Sequence, residues 1–153
     1  IRRPPRSTQS RSSAASDVYK RQIEIYREHY KPSNRHETPN PAICVWALAA
    51  ETHEEAQYHF SSRARWQLYR DRGLHLSFET PEISMEQDYN EYEQAKIEEL
   101  RQKTFVGTGE EVAERISKLS KQLGVEEVAI VTWAHSDEAR RNSYAEIAKA
   151  FAM

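Results

Sequence analysis

The stretch from Phe105 to His135, FVGTGEEVAERISKLSKQLGVEEVAIVTWAH, limits what this chain can fold into more than any other segment. Thr108 and Glu111 have the spacing of a capping box, in which each side chain satisfies a free amide at a helix start. Val112, Ile116, Leu119 and Leu123 recur at steps of four, three and four, which lays one apolar stripe along a helix. Gly124 follows, where a left-handed cap is easiest for a residue without a Cβ. Val128 to Val131 is then apolar without alternation, the pattern of a parallel strand covered on both faces. A capped helix, a tight turn and a buried strand make half of a βαβ unit. The chain is predicted to be α/β.

A second such unit lies upstream. Ile43 to Ala50 is continuous and apolar and reads as a strand buried on both faces. Alternation puts Cys44, Trp46 and Leu48 on one side and Ile43, Val45 and Ala47 on the other. Cys44 is expected to be a buried, unreactive thiol, because nothing near it in sequence would lower its pKa. Thr52 and Glu55 repeat the capping-box spacing, and Ala56, Phe60, Ala64 and Leu68 share one face of the helix that follows. The charged residues Arg63, Arg65, Arg70, Asp71 and Arg72 are assigned to its solvated outer face, and Gly73 ends it. A second, highly charged helix is predicted to carry Met85, Tyr89, Tyr92 and Leu100 on one face. Near the end, Ser136 is placed to cap a last helix, with Tyr144, Ile147, Ala148 and Phe151 as its buried stripe.

These pieces resemble a known family. The run VGTGEEVAERI, a helix, then LGVEEVAIVTWAH and an aromatic-bearing helix is similar to the end of the luciferase-like flavin-dependent monooxygenases. In that family a V-G-[ST]-x-E-x-V segment opens the penultimate helix and the last barrel strand follows. AICVWALAAETHEEAQ resembles the family's inner strand running into its D/E-T-x-E-E-A helix start, and the two pieces stand in the family's order. The resemblance covers residues 23–153 and implies the C-terminal portion of a (β/α)8 TIM barrel. A barrel of that kind needs about 250 residues and this chain has 153, so the barrel would be incomplete here.

The resemblance also implies a site. Trp46, Trp133 and His135 would touch the cofactor, and Cys44, Trp46, Tyr89 and Tyr92 would line the substrate pocket. Trp46 stands where relatives often carry His or Asn; it either makes the pocket more apolar or fills core. No residue is assigned a catalytic role. The cofactor implied is reduced FMN from a separate flavin reductase, with a deazaflavin coenzyme as the alternative. The partners implied are a small-molecule substrate, that reductase and, in the full-length parent, a second copy in a homodimer. The phosphate site would lie in an N-terminal part outside this chain, so the fragment alone is expected to be inactive.

Composition bounds the remaining classes. Residues 1–22 hold six of the 22 basic residues and one of the 24 acidic ones, which leaves a net charge of −7 for the rest. An acidic body argues against nucleic acid or an anionic membrane as partner. One cysteine excludes an intramolecular disulfide and suits a cytoplasmic setting. No apolar stretch approaches the ~20 residues of a membrane span. The six histidines show no metal-ligand spacing. Residues 1–22, rich in Arg, Ser and Pro, lack an apolar period and are expected to be a disordered tail. They resemble translated sequencing-adaptor DNA, with a basic arm or transit peptide as the other readings. The alternative to the enzyme is a small non-enzymatic α/β binding or regulatory module, which would need further strands to shield both faces of its sheet.

Overall fold

A computed structural model describes residues 12–152. Six helices and three strands follow one another through them: α1 (Ser12–Glu28), β1 (Ala42–Ala50), α2 (His53–Asp71), α3 (Pro81–Glu86), α4 (Glu91–Lys103), β2 (Phe105–Thr108), α5 (Gly109–Leu123), β3 (Glu127–Val131) and α6 (Asp137–Ala150). No helix among the described residues is long and apolar enough to cross a membrane.

The local signals formed as the residues dictate. Thr108 and Glu111 make both halves of their capping box, and Gly124 closes α5 at φ 61°. Ser136 Oγ accepts from the Ala139 amide at 3.0 Å. Thr52 accepts from the Glu55 amide at 3.1 Å, but the Glu55 carboxylate faces His59 at 3.8 Å, so only half of that box forms. The predicted long helix over Met85–Leu100 is instead two. Asn90 and Glu93 form a capping box of their own, which starts α4 and breaks the chain at Gln87.

The sheet is parallel with the order β2-β1-β3. Along β1, Ala47–Ala50 pair with Phe105–Thr108 and Ala42–Trp46 pair with Glu127–Val131. Each neighbour therefore serves one half of β1. Above Trp46 side chains replace the missing rungs. The Ala49 amide donates to Ser143 Oγ at 2.9 Å, and Thr132 Oγ1 donates to the Ala47 carbonyl at 2.8 Å.

Two apolar clusters hold helices to the two faces. On one face Ile43, Val45, Ala47 and Ala49 pack with Val112, Ile116 and Leu123 of α5, Ile147 of α6 and Ile23 of α1. On the other, Leu48, Ala50 and Val106 pack with Ala56, Phe60 and Ala64 of α2, while Ile97 and Leu100 of α4 close the margin. The strand order reverses at β1, and right-handed crossovers of opposite direction put their helices on opposite faces.

Four expectations are corrected. The four-residue β2 escaped notice because so short a stretch with a central glycine has no period to read. β3 is not covered on both faces: Val128 and Ile130 are half-buried while Ala129 and Val131 are exposed, because α5 and α6 cover one side of an edge strand. Cys44 is exposed, since α2 covers only the carboxyl half of β1 on that face. On α6 the buried stripe is Ala139, Ser143 and Ile147, and Tyr144 is exposed, its hydroxyl accepting from the Thr132 amide at 3.1 Å.

The expected tail also changes. Residues 12–22 lie in α1, where the Tyr19 hydroxyl donates to the Cys44 carbonyl at 3.2 Å, Ile23 is buried and Arg27 donates to the Gly124 carbonyl at 2.6 Å. Steps of four bring these three onto one helix face, and contacts far along the chain order it. The disordered tail expected over residues 1–11 lies outside the described residues.

Candidate functional site

The carboxyl ends of the strands open beside α2, and two arrangements of side chains lie there. The first gathers around Arg63. Its guanidinium carbon lies 4.8 Å from the Trp133 ring centre, 5.1 Å from Trp66 and 5.6 Å from Trp46. Trp66 and Trp133 meet edge to face at 5.0 Å, and Arg70 stacks on Trp66 at 4.8 Å. A cation over the negative face of an indole is attracted by up to about 2 kcal/mol when desolvated. Burial, and then the neighbouring Arg70, pull the Arg63 pKa below the ordinary guanidinium value. The guanidinium remains charged. Its link to a carboxylate is indirect: Arg63 donates to Gln67 at 2.5 Å, and Gln67 donates to Asp71 at 2.5 Å.

Two donors in this cluster are unmet. Trp46 Nε1 and Arg63 Nε are covered and have no acceptor among the described residues. A covered donor left unpaired costs about 1–3 kcal/mol.

The second arrangement is a cleft of about 680 Å³ between α2, α3 and α4. Phe60, Ala64 and Ile97 give it an apolar wall, with Met85 at the rim. Phe60 also stands 6.0 Å from Trp46, so the two arrangements share one side chain. At the cleft's edge His53 Nδ1 lies 3.0 Å from Glu111 Oε2. The pairing of Ala50 with Thr108 brings those two helix starts side by side. The His53 hydrogen bond, and then the Thr108 amide at 2.8 Å, hold the Glu111 carboxyl below its ordinary pKa.

The sign of that shift sets a pH dependence. A carboxyl whose pKa is lowered by folding adds stability above its unfolded value, and loses it as pH falls through the folded value. Glu111→Gln keeps the capping geometry and removes the charge. Glu111 is half-exposed (50%), so water screens the pair, and the variant is expected to lose about 0.5–1 kcal/mol at pH 7. Urea midpoints measured from pH 7 to pH 3 should converge on those of the wild type; a gap that persists at pH 3 would exclude the charge as its source.

The residues singled out in the sequence divide. Trp46 and Trp133 come together around Arg63, with Trp133 38% exposed. His135 is exposed and makes none of these contacts. Tyr89 lines the cleft, where its hydroxyl donates to the Ser84 carbonyl at 2.7 Å and burial raises its pKa. Tyr92 is 63% exposed and stands outside the cleft; Cys44 is exposed two residues before Trp46. Arg63, assigned to the solvated face, is in the cluster instead, because its stem can fold back over flanking indoles. The signal for it was present: Arg63, Trp66 and Arg70 stand at steps of three and four on one helix. His53 and Glu111 were missed because their meeting depends on β2.

Fold and site together define an α/β protein with a parallel sheet and an aromatic cluster at its strand ends. No family model matches the chain. It is similar to "Uncharacterized protein YwcH" of Bacillus subtilis (strain 168), at 34% identity over 131 residues, 85% of this chain and 39% of that protein. It is also similar to "Luciferase-like monooxygenase" of Escherichia coli (strain K12), at 23% identity over 133 residues, 87% of this chain and 40% of that protein. The chain thus spans about two fifths of the length of these curated relatives. In fold it is similar to a chain described as "Crystal Structure of apo-MsnO8", with a TM-score of 0.75 and 19% identity over 94% of this chain and 50% of that one.

Proposed function

We propose that this chain is the C-terminal portion of a luciferase-like, flavin-dependent monooxygenase whose longer form builds a (β/α)8 barrel. The similarity to the Escherichia coli luciferase-like monooxygenase carries the reading, because it runs through both capped strand-to-helix units. In a barrel consecutive strands are neighbours, whereas here β2 and β3 flank β1. The four-residue β2 is then an accessory strand, and the wall continues beyond the outer edge of β3.

The Trp46–Trp133 cluster fits a flavin. An isoalloxazine ring is flat and rimmed with acceptor oxygens and nitrogens. Trp133 leaves part of its own flat ring open, with the Arg63 guanidinium 4.8 Å from its centre. When bound, reduced FMN supplies the activation of dioxygen and the transfer of one oxygen atom to the substrate; a deazaflavin coenzyme would supply hydride chemistry instead. This chain's own part is to stack on the ring and to keep water from its face. His135 stands at the same strand end and would reach the ring's margin. The setting that goes with this reading is cytoplasmic, with a separate flavin reductase and a homodimer.

Anaerobic titration of reduced FMN into the longer protein tests the reading, with tryptophan emission as the signal. Saturable quenching is expected, and Trp133→Ala should weaken binding about tenfold. Saturable quenching by a deazaflavin alone would select the alternative coenzyme. Binding unchanged by Trp133→Ala would move the ring elsewhere, and no binding of either would end the proposal.

A further inference from the structure

We propose that Arg63 and Arg70, at the margin of the tryptophan cluster, bind the carboxylate of a small aromatic acid. The inference begins with two cations that lack a counter-ion. Arg72, Arg101 and Arg140 each hold a carboxylate at 2.7 Å, whereas Arg63 and Arg70 form no ion pair among the described residues. Both nevertheless lie against one indole, 5.1 Å and 4.8 Å from the Trp66 ring centre. Burial, and then the charge of Arg70, make the ionised form of Arg63 less favourable than it is in water. A charge drawn out of water is costly unless it is paired. Indole faces offset part of that cost, and Asp71 is reached only through Gln67. The negative charge that balances the two arginines has to come from a ligand.

The atoms that meet the anion are open. Arg70 is exposed. In Arg63, Nη1 is taken by Gln67 and Nε is covered, but Nη2 is neither bonded nor covered among the described residues. A guanidinium offers a carboxylate a planar, charge-assisted set of donors, which a neutral isostere cannot use as well. The place is also one where ligands gather, since open α/β sheets bind them outside the carboxyl ends of their strands. Trp133 follows the end of β3 and meets Trp66 edge to face at 5.0 Å. On Trp66 also rests Phe78, at 6.4 Å and only half-buried, an aromatic surface for the body of the ligand apart from Trp133. Calling this acid the substrate rests on the flavin reading; the anion site itself does not.

The test uses 2-naphthoate and its neutral amide, 2-naphthamide, titrated without flavin into the 153-residue chain. The indole N–H resonance of Trp66 reports on the site, because both guanidiniums lie against that ring. Naphthoate should move it saturably and bind about tenfold tighter than the amide, the difference one charge-assisted hydrogen bond makes. Arg70→Gln, at an exposed position, should weaken naphthoate about tenfold and leave the amide as it was. Lys121→Gln removes the same charge from α5, which packs on the other face of the sheet, and should change neither. Added salt should weaken naphthoate alone. Absence of saturable binding, equal affinity for the two compounds, wild-type affinity in Arg70→Gln, or an equal loss in Lys121→Gln would overturn the proposal. Since no flavin is present, such a result leaves the flavin titration to be decided separately.

Discussion

Truncating Phe60 to alanine is expected to lower the stability of this protein by about 3–5 kcal/mol, the upper range for a large-to-small change in a core. Phe60 is 1% exposed and is the largest of the fully buried side chains. Three of the five other buried residues in its cluster are alanines, Ala50, Ala56 and Ala64, which have no side chain to swing into the space left behind. The Arg101 guanidinium over its ring at 5.8 Å would lose its partner as well. Set against the 5–15 kcal/mol that holds a typical domain folded, such a loss is a large fraction of the whole. The measurement is the urea midpoint, with the slope of the transition watched for a change in compactness. A loss below about 1 kcal/mol would mean that the α2 face collapses to fill the gap and is not a packed core.

Gly109→Ala should also destabilise, against what helix propensity alone expects. Gly109 opens α5, and alanine in a helix is favoured over glycine by about 1 kcal/mol. A methyl group at this position, however, would overlap the Glu146 carbonyl oxygen and sit 2.9 Å from its carbonyl carbon. Those atoms are backbone of α6 and cannot rotate aside. The helices would have to move apart, a strain of the kind that costs about 1–3 kcal/mol. The sign of the change in melting temperature decides between the two effects; a rise would show that α5 and α6 are not as close as described.

What the sequence made legible follows from the range of the forces involved. Thr108 with Glu111, Ser136 with Ala139 and the left-handed Gly124 are arrangements within a few residues, so spacing alone reveals them. The stripe Ala56–Phe60–Ala64–Leu68 was legible because a helix repeats its faces at a fixed step. β2 was not, since Phe105 and Val106 become a strand only by pairing with Ala47 and Leu48. The exposure of Val131 was hidden too, because an apolar run reads the same at the edge of a sheet as at its centre. In the site, Trp46 and Trp133 could be singled out, but the cation between them could not, as a charged residue on a helix is ordinarily solvated. The His53–Glu111 meeting was beyond reach for the same reason as β2.

The position of β1 between partners that come much later in the chain bears on how the protein is made. Ala47 and Phe105 are 58 positions apart, and Ala42 and Glu127 are 85. A ribosome adding about 5–20 residues per second therefore leaves β1 without either neighbour for several seconds. During that interval α2 can shelter Leu48 and Ala50, because Phe60 and Ala64 follow within 20 residues. Ile43, Val45, Ala47 and Ala49 have only Ile23 of α1 as early cover and must wait for α5 and α6 for the rest. An unpaired apolar strand of nine residues is a template for the wrong partner, including the same strand of another nascent chain. Expression at low temperature, or with a chaperone that holds extended apolar segments, should therefore raise the soluble yield more than changes to the charged surface of α4.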